Sequence, residues 1–327
     1  AKTEVPSDYL VGCDGGRSSV RKFIGSTFNG VDVVARVQST LIDAPQLLTK
    51  LPNRPAWATF SVNPRRSGNV YAIDGNRRWL VHNYLLSQEP DFDAVDRDWA
   101  IRQILGVEKD FPFEVISKED WFGRRLVADR FRDRRIFICG DAAHLWVPMA
   151  GYGMNAGIAD AMNLSWQLAA RLQGWGGEAV LSGYEAERQP ITEQVSQFAM
   201  NHSIALQAKR EAIPADIESV GPAGDAVREH FGKELYDLNV QQYCCAGLNF
   251  GYFYADSPLI AYDNEPAPSY GMATFTPSTV PGCRTPHVWL DGQRSLYDAM
   301  GDGFTLLRTD THKDVTGLTE AAAERGM

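Results

Sequence analysis

Apolar and polar positions change rhythm three times along the 327 residues. "DYLVGCDGG" (8–16) reads as a buried strand closing on Asp14, and "RSSVRKFIG" (17–25) as a short helix stopped by Gly25. From Gly30 to about Arg130 the pattern alternates, in "VDVVARVQSTL", "AWATFSV", "NVYAID" and "RRWLVHNYLL", with turns such as "NPRRSGN" and "DGNR" between. Alternation gives each strand one apolar face, so this stretch predicts an antiparallel meander. One helix, "DAVDRDWAIRQILG" (93–106), interrupts it, and "EDWFGRRLVADRF" (119–131) is its last strand. A buried strand at 135–139 then leads to a helix over about 154–172. Ile158, Met162, Ser165, Ala169 and Leu172 share one face of it, Ala161, Leu164 and Leu168 widen that stripe, and Gly174 stops it. A second helix follows over 180–206, with Pro190 expected to kink or restart it. Residues 210–280 mix helix and loop, and the Pro-rich 276–290 reads as a linker into a further unit.

The chemistry concentrates in "GDAAHLWVPMAGYGMNAGIADAMNLSWQLAARL" (140–172). A helix N-terminus presents unpaired N–H groups and a partial positive charge. Gly151 and Gly153 leave no side chain over that backbone, so the amides of Gly153, Met154 and Asn155 are expected to meet an anionic or acceptor-rich ring. Asp141, after Gly140 at a strand's C-terminal end, sits where open α/β sheets bind ligands, and its carboxylate suits hydroxyl groups. The pattern asks for a polyol joined to a planar, electron-poor ring.

These residues resemble a known family. "DYLVGCDGGRSSVRK" is similar to the DG fingerprint of single-component flavoprotein aromatic hydroxylases, and "RIFICGDAAHLWVPMAGYGMNAGIADAMNLSWQLA" to their GD fingerprint with its helix. In order and spacing, residues 8–205 resemble the para-hydroxybenzoate hydroxylase type. "PGCRTPHVWL…SLYDAMGDGFTLLR" resembles the start of the thioredoxin-like domain of the phenol and polyketide hydroxylase branch. The resemblance implies a mixed α/β fold: a partial Rossmann-like FAD-binding domain (1–29 and 132–205), an inserted antiparallel-sheet substrate domain (30–131), a helical extension (206–280) and the start of a thioredoxin-like domain (281–327). It implies FAD as cofactor and NADPH or NADH as electron donor. Reduced flavin would add O2 to give a C4a-hydroperoxide that hydroxylates a small phenolic, aromatic or polyketide substrate. Asp141 would bind the ribityl hydroxyls; Gly153, Met154 and Asn155 the flavin edge; Pro148 would face the oxygen reaction site. Asp14 and Arg17 would border the pyrophosphate and the nicotinamide path. Epoxidation or Baeyer–Villiger insertion is the rival chemistry within the family.

The sequence departs from the family pattern twice. Where relatives often carry a Gly pair after Pro148, this chain has "MAGYG", so Tyr152 is expected to alter flavin mobility or the substrate pocket. No GxGxxG, the family's ADP-binding motif, occurs in these residues; "GCDGGR" and "GDGFTL" both fail its spacing. The chain therefore reads as a fragment of a longer enzyme, and weak or absent FAD binding by these residues alone is the reading that rivals catalysis.

Composition narrows the setting. A net charge of −9 argues against nucleic acid or an anionic membrane as partner. Five cysteines at irregular spacing form neither a disulfide framework nor a zinc pattern. With no long apolar run and no signal-like start, the expectation is a cytoplasmic protein; a homodimer is compatible with everything above. Other candidates have plainer readings: His144 as a packing residue, Trp57, Trp79, Trp121 and Trp146 as core rather than pocket, Arg124 and Arg125 as surface pairs. His82 and Tyr84 are offered as a phenol base on a strand whose face the sequence leaves open.

Overall fold

The computed structural model describes residues 3–51 and 55–327. Strand β1 (Leu10–Gly12) runs into helix α1 (Ser19–Phe23). The turn between them is set by Asp14, whose carboxylate accepts from the Ser18 hydroxyl at 2.5 Å and the Ser19 and Val20 amides at 2.6 and 3.2 Å. The meander comprises β2 (Phe28–Asp43), β3 (Ala58–Ser61), β4 (Gly68–Ala72), β5 (Arg78–Tyr84) and, after helix α2 (Arg97–Leu105), β6 (Glu114–Ala128). Helix α2 starts where the Asp96 side chain accepts from the Trp99 amide and ends on Gly106 at φ 66°. Strands β7 (Arg132–Asp133), β8 (Ile136–Ile138) and β9 (His144–Trp146) lead into helices α3 (Tyr152–Gln173), α4 (Gly183–Glu211), α5 (Pro222–Asn239) and α6 (Ala246–Phe250).

Two sheets result. The large one is antiparallel, in the order β3-β4-β5-β2-β6-β9. One of its faces packs Ile42, Val70, Trp79 and Val81 against Ile101 and Ile104 of α2. The small sheet pairs β1 with β8 in parallel and β8 with β7 antiparallel. Its core joins Phe131, Phe137 and Ile138 to Leu164 of α3 and Tyr184 of α4. The meander is as the alternation implied, but its sixth strand, β9, comes from the GD stretch and pairs with Arg125–Val127 of β6. The two sheets are thereby joined within eight residues, 137–144.

Three expectations need correction. Strand β1 is not fully buried: Leu10 and Val11 are exposed, because among the described residues β1 is an edge strand paired with β8 on one side. Helix α3 begins two residues early; Leu164 and Leu168 of the expected stripe do pack inward, but the face through Ile158, Met162 and Leu172 points outward. Met154, Ile158, Met162 and Leu172 are exposed, at 76, 53, 67 and 61%, while Asp160, Asn163, Leu164 and Gln167 are buried. The inward polar groups are mostly partnered: Asn163 donates to Glu187 at 2.5 Å, Gln167 donates to Asn163 at 3.0 Å, and Ser257 donates to Glu187 at 2.5 Å. Helix α4 neither stops nor restarts at Pro190 but runs unbroken for 29 residues. After α6 the chain forms only a two-residue hairpin, β10 (Trp289–Leu290) with β11 (Arg294–Ser295), and short helices α7 (Leu296–Ala299) and α8 (Thr316–Glu324).

Gly30 starts the irregularity that bends β2 across β6. Its φ is 140°, a side chain's first carbon there would lie 2.0 Å from the Arg125 carbonyl oxygen, and the register shifts between Val31 and Ala35. Gly30→Ala should destabilise the protein by about 3 kcal/mol, from backbone strain plus the clash. Urea denaturation measures it, and an unchanged midpoint would show that the bend relaxes freely.

Candidate active site

Most of the residues singled out in the sequence meet on one open face. It is built from the C-terminal ends of β1 and β8 and the N-termini of α1 and α3. Asp14, Arg17, Asp141, Pro148, Gly151, Met154 and Asn155 are all exposed there, and Gly140 and Gly153 are partly so. Before α3 the backbone takes two left-handed steps, Ala150 at φ 58° and Gly151 at φ 61°. No side chain among the described residues caps the helix. A 3-10 turn over Met149–Gly151 runs straight into it, so the amides that helical geometry leaves without a partner in α3 include those of Gly153 and Met154. Of the expected trio, the Asn155 amide enters the helical ladder instead, and its side-chain nitrogen donates to the Gly151 carbonyl at 3.0 Å. Nothing lies within 4 Å of where a side chain on Gly151 or Gly153 would start. An uncapped helix end, a bare glycine surface and an exposed Asp141 carboxylate form a cradle that fits an acceptor-rich ring joined to a polyol, as FAD is.

Two buried groups that the sequence reading passed over hold this face together. Asp160 of α3 is fully buried. Its carboxylate binds His144 Nε2 at 2.7 Å, Arg188 Nε at 2.8 Å and the Gly140 amide at 3.2 Å. Burial pushes its pKa up, but His144 and Arg188 outweigh that and hold it below the ordinary carboxylate range. Asp160 is the lone charge between residues 152 and 170, which was the available signal. Arg21 of α1, 6% exposed, donates to the Ala142 carbonyl at 2.9 Å and the Gly16 carbonyl at 3.0 Å, tying the DG turn to the GD turn. Asp14 has its carboxylate engaged by α1, which holds its pKa down chiefly through Ser18.

Behind Pro148 a cavity opens between the meander and α4. Its inner part, about 130 Å³, is lined by Asn69, Tyr71, His82, Tyr84, Pro148 and Arg210 among others. It shares Phe60, Asn69, Leu206, Arg210 and Tyr243 with a mainly apolar outer part of about 430 Å³, closed by Phe231, Leu235 and Tyr236 of α5. The open question about β5 is thus settled: Trp79 and Val81 face α2, and His82 and Tyr84 face this cavity. His82 lies edge-on to Tyr71 (5.0 Å) and Trp121 (5.9 Å). Its pKa is pushed down to about 4 by burial and then by the nearby Arg210 cation, so it is a neutral acceptor at pH 7. Asn69 Nδ2 donates to the Tyr71 and Tyr84 hydroxyl oxygens, both at 3.1 Å.

The remaining candidates separate cleanly. His144 is a buried packing and hydrogen-bonding group, stacked on Trp146 at 4.6 Å. Trp79 is core, Trp57 is exposed against Tyr71, and of the four tryptophans Trp121 lies against the cavity residue His82. Arg124 pairs with Asp32 and Arg125 with Glu193. Tyr152 does not line the cavity: its hydroxyl donates to the Leu248 carbonyl at 2.7 Å, and burial raises its pKa to about 12. It pins α6 to the start of α3.

Two outcomes follow. Asp160→Asn leaves Arg188 buried without a counter-charge and should cost about 3–5 kcal/mol in urea unfolding; a change under about 1 kcal/mol would rule out the clamp. For His82, the folded pKa near 4 lies below the unfolded value of about 6.5. Between those values the unfolded chain takes up a proton that the folded chain refuses, so stability falls as pH drops from about 6.5 to 4. His82→Gln should lose less stability than the wild type between pH 7 and 4.5, and equal losses would place His82 in contact with water.

Comparison with known proteins agrees with this geometry. A family model described as an FAD binding domain matches residues 1–199. The chain is 31% identical to the FAD-dependent monooxygenase apdD of Emericella nidulans, over 98% of this chain and 54% of that protein. It is 33% identical to the tetracenomycin B2 monooxygenase-dioxygenase of Streptomyces olivaceus, over 99% of this chain and 55% of that one. Among solved structures it resembles the rebeccamycin biosynthetic enzyme RebC with reduced flavin (TM-score 0.81, 31% identity, 98% of this chain, 58% of that chain). It also resembles aklavinone-11 hydroxylase in complex with FAD and aklavinone (TM-score 0.72, 28% identity, 97% and 56%). The chain spans a little over half the length of these relatives. On this match, and on the cradle at the start of α3, the chain belongs to the FAD-binding family of class A flavin-dependent monooxygenases.

Proposed function

We propose that this chain carries the flavin-edge and substrate sites of an NAD(P)H- and O2-dependent monooxygenase that hydroxylates a phenolic, polycyclic aromatic compound of the polyketide type. The observation that carries this reading is the place of Pro148: it lines the cavity together with Tyr71, His82, Tyr84 and Arg210, and it stands three residues before the uncapped start of α3. The chemistry a bound FAD supplies is uptake of hydride from the nicotinamide donor and activation of O2. The chain's residues supply the rest. The amides of Gly153 and Met154 and the dipole of α3 favour negative charge at the ring edge, worth about 0.3–2 kcal/mol from the dipole alone. Asp141 accepts from hydroxyl groups. A ring nitrogen of His82, neutral at pH 7, accepts a hydrogen bond from a substrate hydroxyl and orients the ring to be oxygenated. Apolar residues around the outer cavity exclude water from the bound ring.

A second reading is that these 327 residues bind FAD weakly. Two observations favour it: no GxGxxG occurs in the sequence, and apolar side chains of α3 from Met154 to Met162 stand exposed beside the cradle. Titration with FAD, followed by flavin fluorescence and absorbance, tests both readings. Saturable binding with a shifted flavin spectrum, lost in Asp141→Ala by about tenfold or more, supports the site as described. Binding unchanged in Asp141→Ala would remove that residue from the cofactor site. No binding by the wild-type chain would favour the second reading. NAD(P)H oxidation that rises when phenols are added tests the reaction itself.

A further inference from the structure

Arg210 is the most costly side chain in the cavity that the flavin chemistry does not use. It lies in the last turn of α4, lines both the inner and the outer part of the cavity, and stacks its guanidinium 3.8 Å over the Tyr84 ring. Arginines in comparable positions elsewhere in this protein have carboxylates: Arg66 has Glu89, Arg97 has Asp120, Arg188 has Asp160. Among the described residues no carboxylate pairs with Arg210; the acidic groups it feels are the phenols Tyr84 and Tyr71. Tyr84 is un-ionised at pH 7, its pKa raised chiefly by burial. The charge therefore has no carboxylate partner; after burial, it is the second cause that lowers the pKa of His82 on one side and of His202 on the other.

A half-buried cation that faces a mainly apolar chamber with no carboxylate beside it is poorly solvated until an acceptor meets it. Stacking on Tyr84 satisfies the face of the guanidinium and leaves its in-plane N–H donors, a fork shaped for a planar pair of oxygens. That fork sits beside a neutral histidine and between an apolar chamber and Pro148. A neutral hydrocarbon would leave it unpaired. We propose that Arg210 is the anchor for an oxyanion on the aromatic substrate, a phenolate or a ring carboxylate, so that this site takes an acidic polycycle with its charged edge at the inner end and its apolar rings toward Phe231 and Leu235. This rests on the reading that an aromatic substrate fills the cavity. The two sources of the oxyanion share one contact, and the probes below separate them.

The test uses the full 327-residue chain and three anthraquinones of similar size: alizarin, which carries an acidic phenol; anthraquinone-2-carboxylate; and the neutral 2-(hydroxymethyl)anthraquinone. Binding is followed by quenching of tryptophan fluorescence, and for alizarin also by the colour of its ionised form. The wild type should bind at least one acidic probe about 10- to 100-fold more tightly than the neutral one, as a charge-assisted hydrogen-bond pair requires. The probe that gains identifies the oxyanion as phenolate or carboxylate. Arg210→Gln should erase that preference while leaving the neutral probe within about twofold, which also shows that the variant is folded. Arg210→Lys should restore part of it. Equal affinity of the wild type for acidic and neutral probes would overturn the anchor while leaving the aromatic cavity standing. Loss of all three probes in both Arg210 variants would make the residue structural and overturn it as well. Failure of every probe to bind the wild type would overturn the cavity reading, and the anchor with it.

Discussion

A single carboxylate, buried in the middle of α3, positions most of what this protein presents. Asp160 reaches the GD turn through the Gly140 amide, β9 through His144 and α4 through Arg188. Three segments distant in sequence are thus fixed to one helix by charge-assisted hydrogen bonds in a dry interior. Such bonds stabilise only while all are made; each group is costly to bury alone. The cradle at the start of α3 lies about two helical turns from Asp160 and Asp141 adjoins Gly140, so their mutual placement follows from the clamp.

The same constraint explains the apolar face that α3 turns outward. A 22-residue helix usually turns its apolar stripe inward. Here the inward face must satisfy Gly140, His144, Arg188 and Glu187, which requires Asp160 and Asn163, with Gln167 bonded to Asn163. Met154, Ile158 and Met162 are left on the open side, next to the amides that the cofactor is expected to meet. Arg21 plays the matching part on the DG side, and its stacking on Phe28 at 3.6 Å brings the start of the meander into the same assembly.

Function then divides between two surfaces that meet near Pro148. On one side is a backbone site, rich in glycine and free amides, suited to an electron-poor ring. On the other is a side-chain site whose polar groups are few and concentrated at the inner end: a neutral His82, hydroxyls bridged by Asn69, and Arg210. The apolar outer chamber provides affinity without direction, and the inner end provides direction.

Local chemistry is what the sequence by itself determined. The DG and GD stretches, the alternation of the meander, the stop of α1 near Gly25 and the glycine-rich start of α3 all depend on neighbours within a few residues, and all were legible. The plain roles of His144, Arg124 and Arg125 were legible as well. The tertiary structure alone decided which face of α3 turns inward, that β9 completes the large sheet, that Tyr152 packs on α6 rather than on the cavity, and that His82, Tyr84 and Arg210 share one space. Periodicity shows where a helix has an apolar side, but the side that is buried depends on what the neighbouring elements must have satisfied. Here those partners lie up to 28 residues from Asp160, and 126 residues separate Tyr84 from Arg210. No local pattern carries information across such distances; packing and the cost of unpaired buried charge do.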